Sequence, residues 1–234
     1  MAYGIPVYTS TTLAAPGHSA GELRLVQPMI MLQGGVLQNH LHFSGILNLE
    51  GLTIPGGELT RGDWGEGFFD RRHPHTYAHE LMVWSDDLLG QRDGAVHLSL
   101  AAGKGVVPFG TDDPMNRPFE RYPVNHHLAQ IIERAVGIAG ARIGPVALEA
   151  ALFNGDEPTG PGSWPRISRF GDSWSARITV FPIDGLELQG SRAVVESPEH
   201  RPGSGLDQSK WSASARWERT VAGHPVYGLV EWER

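Results

Sequence analysis

The chain has 234 residues, 30 glycines, 17 prolines, no cysteine and a formal net charge of −7. That length suits one domain, and the missing cysteine excludes disulfides, thiolate metal sites and thiol catalysis. The absence of a basic stripe argues against nucleic acid as a partner, and no apolar run reaches the roughly 18 residues of a transmembrane helix.

Taken in chain order, the N-terminus Met-Ala-Tyr-Gly-Ile-Pro lacks the basic and apolar regions of a signal peptide. Strand-like alternation then recurs in about ten segments: 22–33, 39–50, 76–85, 94–103, 133–141, 145–153, 173–182, 185–196, 209–219 and 225–233. Within 39–50, Leu41, Phe43, Gly45 and Leu47 alternate with His42, Ser44, Ile46 and Asn48. Near 126–136, Leu128, Ile131, Ile132 and Ala135 also fall at helical spacing, so a short helix competes with a strand there. Asp184-Gly185 marks a tight hairpin, and 154–173 and 196–209 are predicted to be long polar loops. Val226 to Arg234 stops inside a strand pattern. With the missing signal peptide, this reads as a fragment, a misplaced start or a processed chain.

The clearest segment is Trp211 to Glu218. Trp211, Ala213, Ala215 and Trp217 share one face, and Ser212, Ser214, Arg216 and Glu218 share the other. A transmembrane β-barrel asks for this pattern: an apolar outside, a polar lumen, and aromatics at both interfaces. Tyr77, Trp84, Trp174, Tyr227 and Trp232 also sit near predicted strand ends. The expectation is an all-β, antiparallel, up-and-down transmembrane-type barrel spanning 1–234 as one domain, complete or partial. A soluble β-barrel or sandwich binding protein would show the same period, because alternation alone does not distinguish lipid from core.

Gly103-Lys-Gly-Val-Val-Pro-Phe-Gly110 resembles a segment of porin-like outer-membrane barrels. Asp70-Arg-Arg-His-Pro-His75 with His79-Glu80, Phe153-Asn-Gly-Asp-Glu-Pro158 and Ser197-Pro-Glu-His200 resemble a family of bacterial outer-membrane proteins. That family carries D-R-x-H-P-H, F-N-G-x-E-P and S-P-E motifs at similar spacing. The likeness spans roughly residues 40–219. It implies a barrel fold in the bacterial outer membrane, with the lipid bilayer and small polar solutes or ions as partners. It implies no specific activity.

Candidate lumen residues are Arg177, Glu187, Gln189, Ser212, Ser214 and Arg216. Arg117, Glu120 and Arg121 lie in a segment that either folds inward to narrow a pore or forms an ion-paired surface loop. His73, His75 and His79, with His126 and His127, form a candidate metal set for zinc or copper, supported by Asp70 or Glu80. The competing reading is a loop-holding turn, with lumen histidines as ordinary polar lining. Asp112, Asp113, Asp156, Glu157 and Asp172 read as solvated turn acids in preference to calcium ligands. No nucleophile elbow, P-loop or dinucleotide fingerprint occurs, so no enzyme activity is expected. The sequence therefore predicts a passive channel or ligand-binding barrel of the cell envelope. A histidine-rich metal-binding envelope protein is the alternative.

Overall fold

The computed structural model describes residues 2–12, 19–38, 40–53, 75–89, 94–111, 130–200 and 202–234. They form β1 (Ala2–Thr12), β2 (Ser19–Val36), β3 (Leu41–Asn48), α1 (Glu50–Thr53), β4 (Ala78–Ser85), β5 (Val96–Gly105), β6 (Arg134–Ile143), β7 (Val146–Phe153), β8 (Ser173–Ile183), β9 (Leu186–Val195), β10 (Gln208–Val221) and β11 (His224–Glu233). A 3-10 turn at Ile167–Arg169 precedes β8. All eleven strands join one antiparallel sheet in sequence order. Among the described residues, β1 does not pair with β11.

The ten segments that alternate in the sequence are all strands. β1 was not expected: Gly4 and Pro6 blur its pattern. The helix near 126–136 is corrected. Arg134 already begins β6, and residues 130–133 are irregular; 126–129 lie outside the described residues. Ile131 and Ala135 are apolar because both are buried, not because they share a helix face.

Connections divide by end. At one end the links are 37–40, 86–95, 144–145, 184–185 and 222–223. The other end carries 49–77, 106–133, 154–172 and 196–207. The two-residue turns use Gly144, Gly185 and Gly223, all at positive φ, as tight hairpins require.

Register turns alternation into rows. One outward row reads Gly34, Phe43, Val83, Ala102, Gly137, Leu152, Trp174, Val194. The next reads Leu100, Ala139, Ala150, Ala176, Arg192, Trp211, followed by Leu98, Ala141, Leu148, Ile178, Gly190, Ala213, Trp232. Val146, Val180, Leu188, Ala215 and Val230 make a fourth. Arg192 is the one charge in these four rows. Most of the large side chains in them are exposed, among them Leu148, Leu152, Ile178, Val230 and Trp232.

The sheet is rolled. The segment 106–111 leaves β5 and reaches β11, where the Thr111 hydroxyl donates to Glu231. A flat sheet would separate β5 from β11 by about 29 Å at about 4.8 Å per strand. Six residues span at most about 21 Å, and this segment is kinked by Phe109 N–H donating to Val107 O. The segment therefore lies on the concave side. There Val107, Phe109 and Ile131 pack on Val136, Ala151, Phe153, Ala193 and Val195 to make the apolar core.

Candidate functional site

The concave face is polar in the same strands whose outer rows are apolar. One inner row reads Ser99, Gly140, Glu149, Arg177, Ser191, Ser212, Glu233. The next reads His97, Arg142, Ala147, Thr179, Gln189, Ser214, Glu231. Arg177 and Glu149 face each other across β8 and β7. Nε donates to Oε2 at 2.5 Å and a terminal nitrogen to Oε1 at 2.9 Å. Arg216 and Glu187 also face each other, across β10 and β9, with one terminal nitrogen donating to Oε2 at 2.5 Å. The two-bond fork of Arg177 on Glu149 fixes both partners in one geometry. Ser175 Oγ and Gln189 Oε1 have no protein partner among the described residues. Toward the short turns this face opens on a cavity of about 740 Å3 bounded by His42, Asp86, His97, Arg142 and Glu149.

The inward segment is fastened at several points. Gly110 N–H donates to Ser191 Oγ at 2.9 Å, and Arg177 reaches Gly110 O at 3.4 Å. Val107 N–H donates to Ile131 O at 2.9 Å, which ties the two described ends of the β5–β6 connection together. The Phe109 ring lies 5.2 Å from the Lys210 ammonium. Deeper toward the long connections, Arg134 pairs with Glu157 at 3.0 Å.

At the rim where the long connections leave the sheet, His75, His79 and Glu133 converge. His75 and Thr76 lead into β4, and Glu133 precedes β6. Glu133 Oε1 accepts from Thr76 N–H at 2.7 Å, the Thr76 hydroxyl at 2.6 Å and His79 Nδ1 at 2.9 Å. Lys104 donates to the Thr76 hydroxyl and lies 5.3 Å from the Trp164 ring. Burial alone would raise the Glu133 carboxyl. The His79 hydrogen bond, the charges of His75 and His79 and the Thr76 bond outweigh it and hold the group at about 2. Gly103 makes room for this turn of β5. Its φ is +149°, and a Cβ there would lie 2.0 Å from Leu81 O.

Arg177, Glu187, Gln189, Ser212, Ser214 and Arg216 all fall on the inner parity. His75 and His79 meet. His73, His126, His127, Arg117, Glu120 and Arg121 lie outside the described residues, as do Asp70, Asp112 and Asp113. Among the described residues, Glu80 accepts from Ser44 and not from His75 or His79. Glu133 stands there instead, 54 residues from His79 in sequence. No local spacing signals it, and its φ of +60° is a backbone feature. Glu149 was readable, since it shares the polar parity of β7.

The solvated reading of Asp156, Glu157 and Asp172 is corrected. Asp156 is buried beside Asn154, Glu157 pairs with Arg134, and Asp172 pairs with Arg169 at 2.6 Å. The motif residues here hold loops. Asn154 Oδ1 accepts from Ala135 N–H at 2.7 Å. Gly155 is required because a Cβ would lie 2.1 Å from Glu196 O. Ser197 Oγ accepts from Gly205 N–H at 2.6 Å and donates to His200 O at 3.1 Å.

No protein-family model matches the chain, and the search of curated proteins finds no relative. Among solved structures, the crystal structure of Pseudomonas aeruginosa OccK5 (OpdH) aligns with 97% of this chain and 71% of that chain. Identity is 12% and the TM-score 0.28, a likeness too slight to carry fold or function.

Proposed function

We propose that the chain forms a porin-like barrel of the bacterial outer membrane and passes small polar solutes or ions without catalysis. One observation carries this reading: the same strands present apolar rows outward and ion-paired polar rows inward, and a connection folds over the inner side. Outward rows of this extent exceed the apolar patch that a soluble monomer usually exposes, and lipid covers them without cost. A soluble barrel or sandwich would bury them.

The site of the one charge in the four outward rows supports the same reading. The Arg192 guanidinium lies 5.8 Å from the Trp174 ring and 4.5 Å from the Trp211 ring. Tryptophan and snorkelling arginine belong at the headgroup level. Trp211 and Trp217 stand six residues apart on β10, roughly 20 Å along the strand, against an apolar band about 25 Å tall.

In this reading the Glu149–Arg177 and Glu187–Arg216 pairs give the lumen a balanced charge. The segment beginning at Val106 narrows it, and Arg117, Glu120 and Arg121 belong to the same connection. The test is to refold the full chain in detergent and ask whether it gives a heat-modifiable, β-rich species that conducts ions in a planar bilayer. A monodisperse β-protein that is stable in water without detergent, and leaves bilayers sealed, would overturn the proposal.

A further inference from the structure

We infer that His75, His79 and Glu133 bind one divalent transition metal ion, zinc fitting the donor set best, and that the ion fastens two long connections together. This goes beyond the channel reading and does not depend on it. One ligand atom from each residue lies within 4.8 Å of the other two. A tetrahedral zinc about 2.0–2.2 Å from each ligand spaces those atoms about 3.3–3.5 Å apart. The His79–Glu133 separation of 2.9 Å opens slightly, and the others, at most 4.8 Å, close to the same spacing. Side-chain adjustment suffices for both.

The donors are of the right kind. Two imidazoles and a carboxylate suit zinc, and three protein ligands leave a fourth position for water. The carboxylate is already oriented: the Thr76 amide and hydroxyl grip Glu133 Oε1, the outer support that metal ligands characteristically have. The setting is also dry. His75 is 8% exposed and Glu133 5%. Collecting these polar groups out of water is costly, and a dication bound by all three offsets it.

The position gives the consequence. His75 and His79 stand at the start of β4, and Glu133 ends the β5–β6 connection, two residues after Ile131. Val107 of the inward segment hangs on Ile131. A metal here is a clip that fixes the exit of the inward segment against the rim of β4. No reaction is assigned to it.

The experiment titrates the full chain, stripped with a chelator in detergent, with zinc by calorimetry and with cobalt by absorption spectroscopy. One zinc per chain at micromolar strength or better is expected, with the intense visible bands of tetrahedral cobalt. His75→Gln, His79→Gln and Glu133→Gln each weaken zinc binding at least about a hundred-fold, because each removes a ligand. Thr76→Val weakens it about 10- to 100-fold, the usual range for an outer support. His42→Gln and His97→Gln leave it unchanged. Glutamine at 79 keeps a donor for Glu133, and far-UV circular dichroism checks that each variant folds. No micromolar binding by the wild type, or equal affinity in the three ligand variants, would overturn the inference. Should the variants fail to fold, the wild-type cobalt spectrum decides alone: a weak octahedral spectrum refutes the site. Conductance plays no part in these readouts, so the site and the channel fail separately.

Discussion

Ala215→Arg against Ser214→Arg is the sharpest test of which face meets lipid. The two residues are neighbours on β10 and lie midway between Trp211 and Trp217. Ala215 faces outward between Leu188 and Val230. Ser214 faces inward between Gln189 and Glu231. An outward arginine near the bilayer midplane costs about 2–4 kcal/mol, falling toward the interfaces. That is roughly 30- to 700-fold in the folding equilibrium at tenfold per 1.4 kcal/mol. Ser214→Arg adds a cation opposite Glu231 in a wet face, and its cost stays within about 1 kcal/mol. Denaturant titration of vesicle-embedded protein, followed by tryptophan fluorescence, measures both. Equal costs for the two variants would refute the face assignment. So would an outward arginine tolerated as well as the inward one.

Three further outcomes follow from the same geometry. Arg177→Gln strands the Glu149 carboxylate and leaves the lumen more negative, so the reversal potential in a salt gradient moves toward cation selectivity; Arg177→Lys keeps the charge, loses the fork and shifts it less. Phe109→Ala empties the centre of the inner apolar core, costs about 3–5 kcal/mol in unfolding experiments and raises single-channel conductance, whereas unchanged conductance would mean that the segment does not narrow the path. In metal-free protein, Glu133 at about 2 lies below its ordinary 4.5. Its ionised form therefore stabilises the fold above pH 4.5, and that contribution is lost as pH falls from there through about 2. An acid titration should show this loss in the wild type and not in Glu133→Gln.

Most of the sheet was legible because period 2 survives wherever a strand separates two unlike surroundings. Trp211 to Trp217 and Val146 to Phe153 show this directly. The pattern misled where surroundings changed along one segment. Ile131 belongs to a connection folded onto the core, and Ala135 to the buried start of β6, so their shared apolarity imitated a helix. The inner face followed from parity, since Arg177, Glu187 and Arg216 sit on polar positions, but their pairing, and the part of Glu149 in it, comes from strand register. The rim cluster was half legible. His75 and His79 are close in sequence, but Glu133 reaches them only through the fold, and no spacing rule crosses 54 residues. The motif around Asn154 looked like exposed loop chemistry. It is buried because it closes the ends of β6 and β7.

Among the described residues, every strand pairs only with its neighbours in the chain. A hairpin is therefore a self-contained building block, its register set by its own turn and not by distant partners. Adding or removing one such block leaves the remaining pairings intact and changes the width of the sheet by two strands. Both its ends also return to the same rim. Width is thus a quantity that this architecture can alter in discrete steps by duplication, while the two-faced chemistry of each strand carries over unchanged.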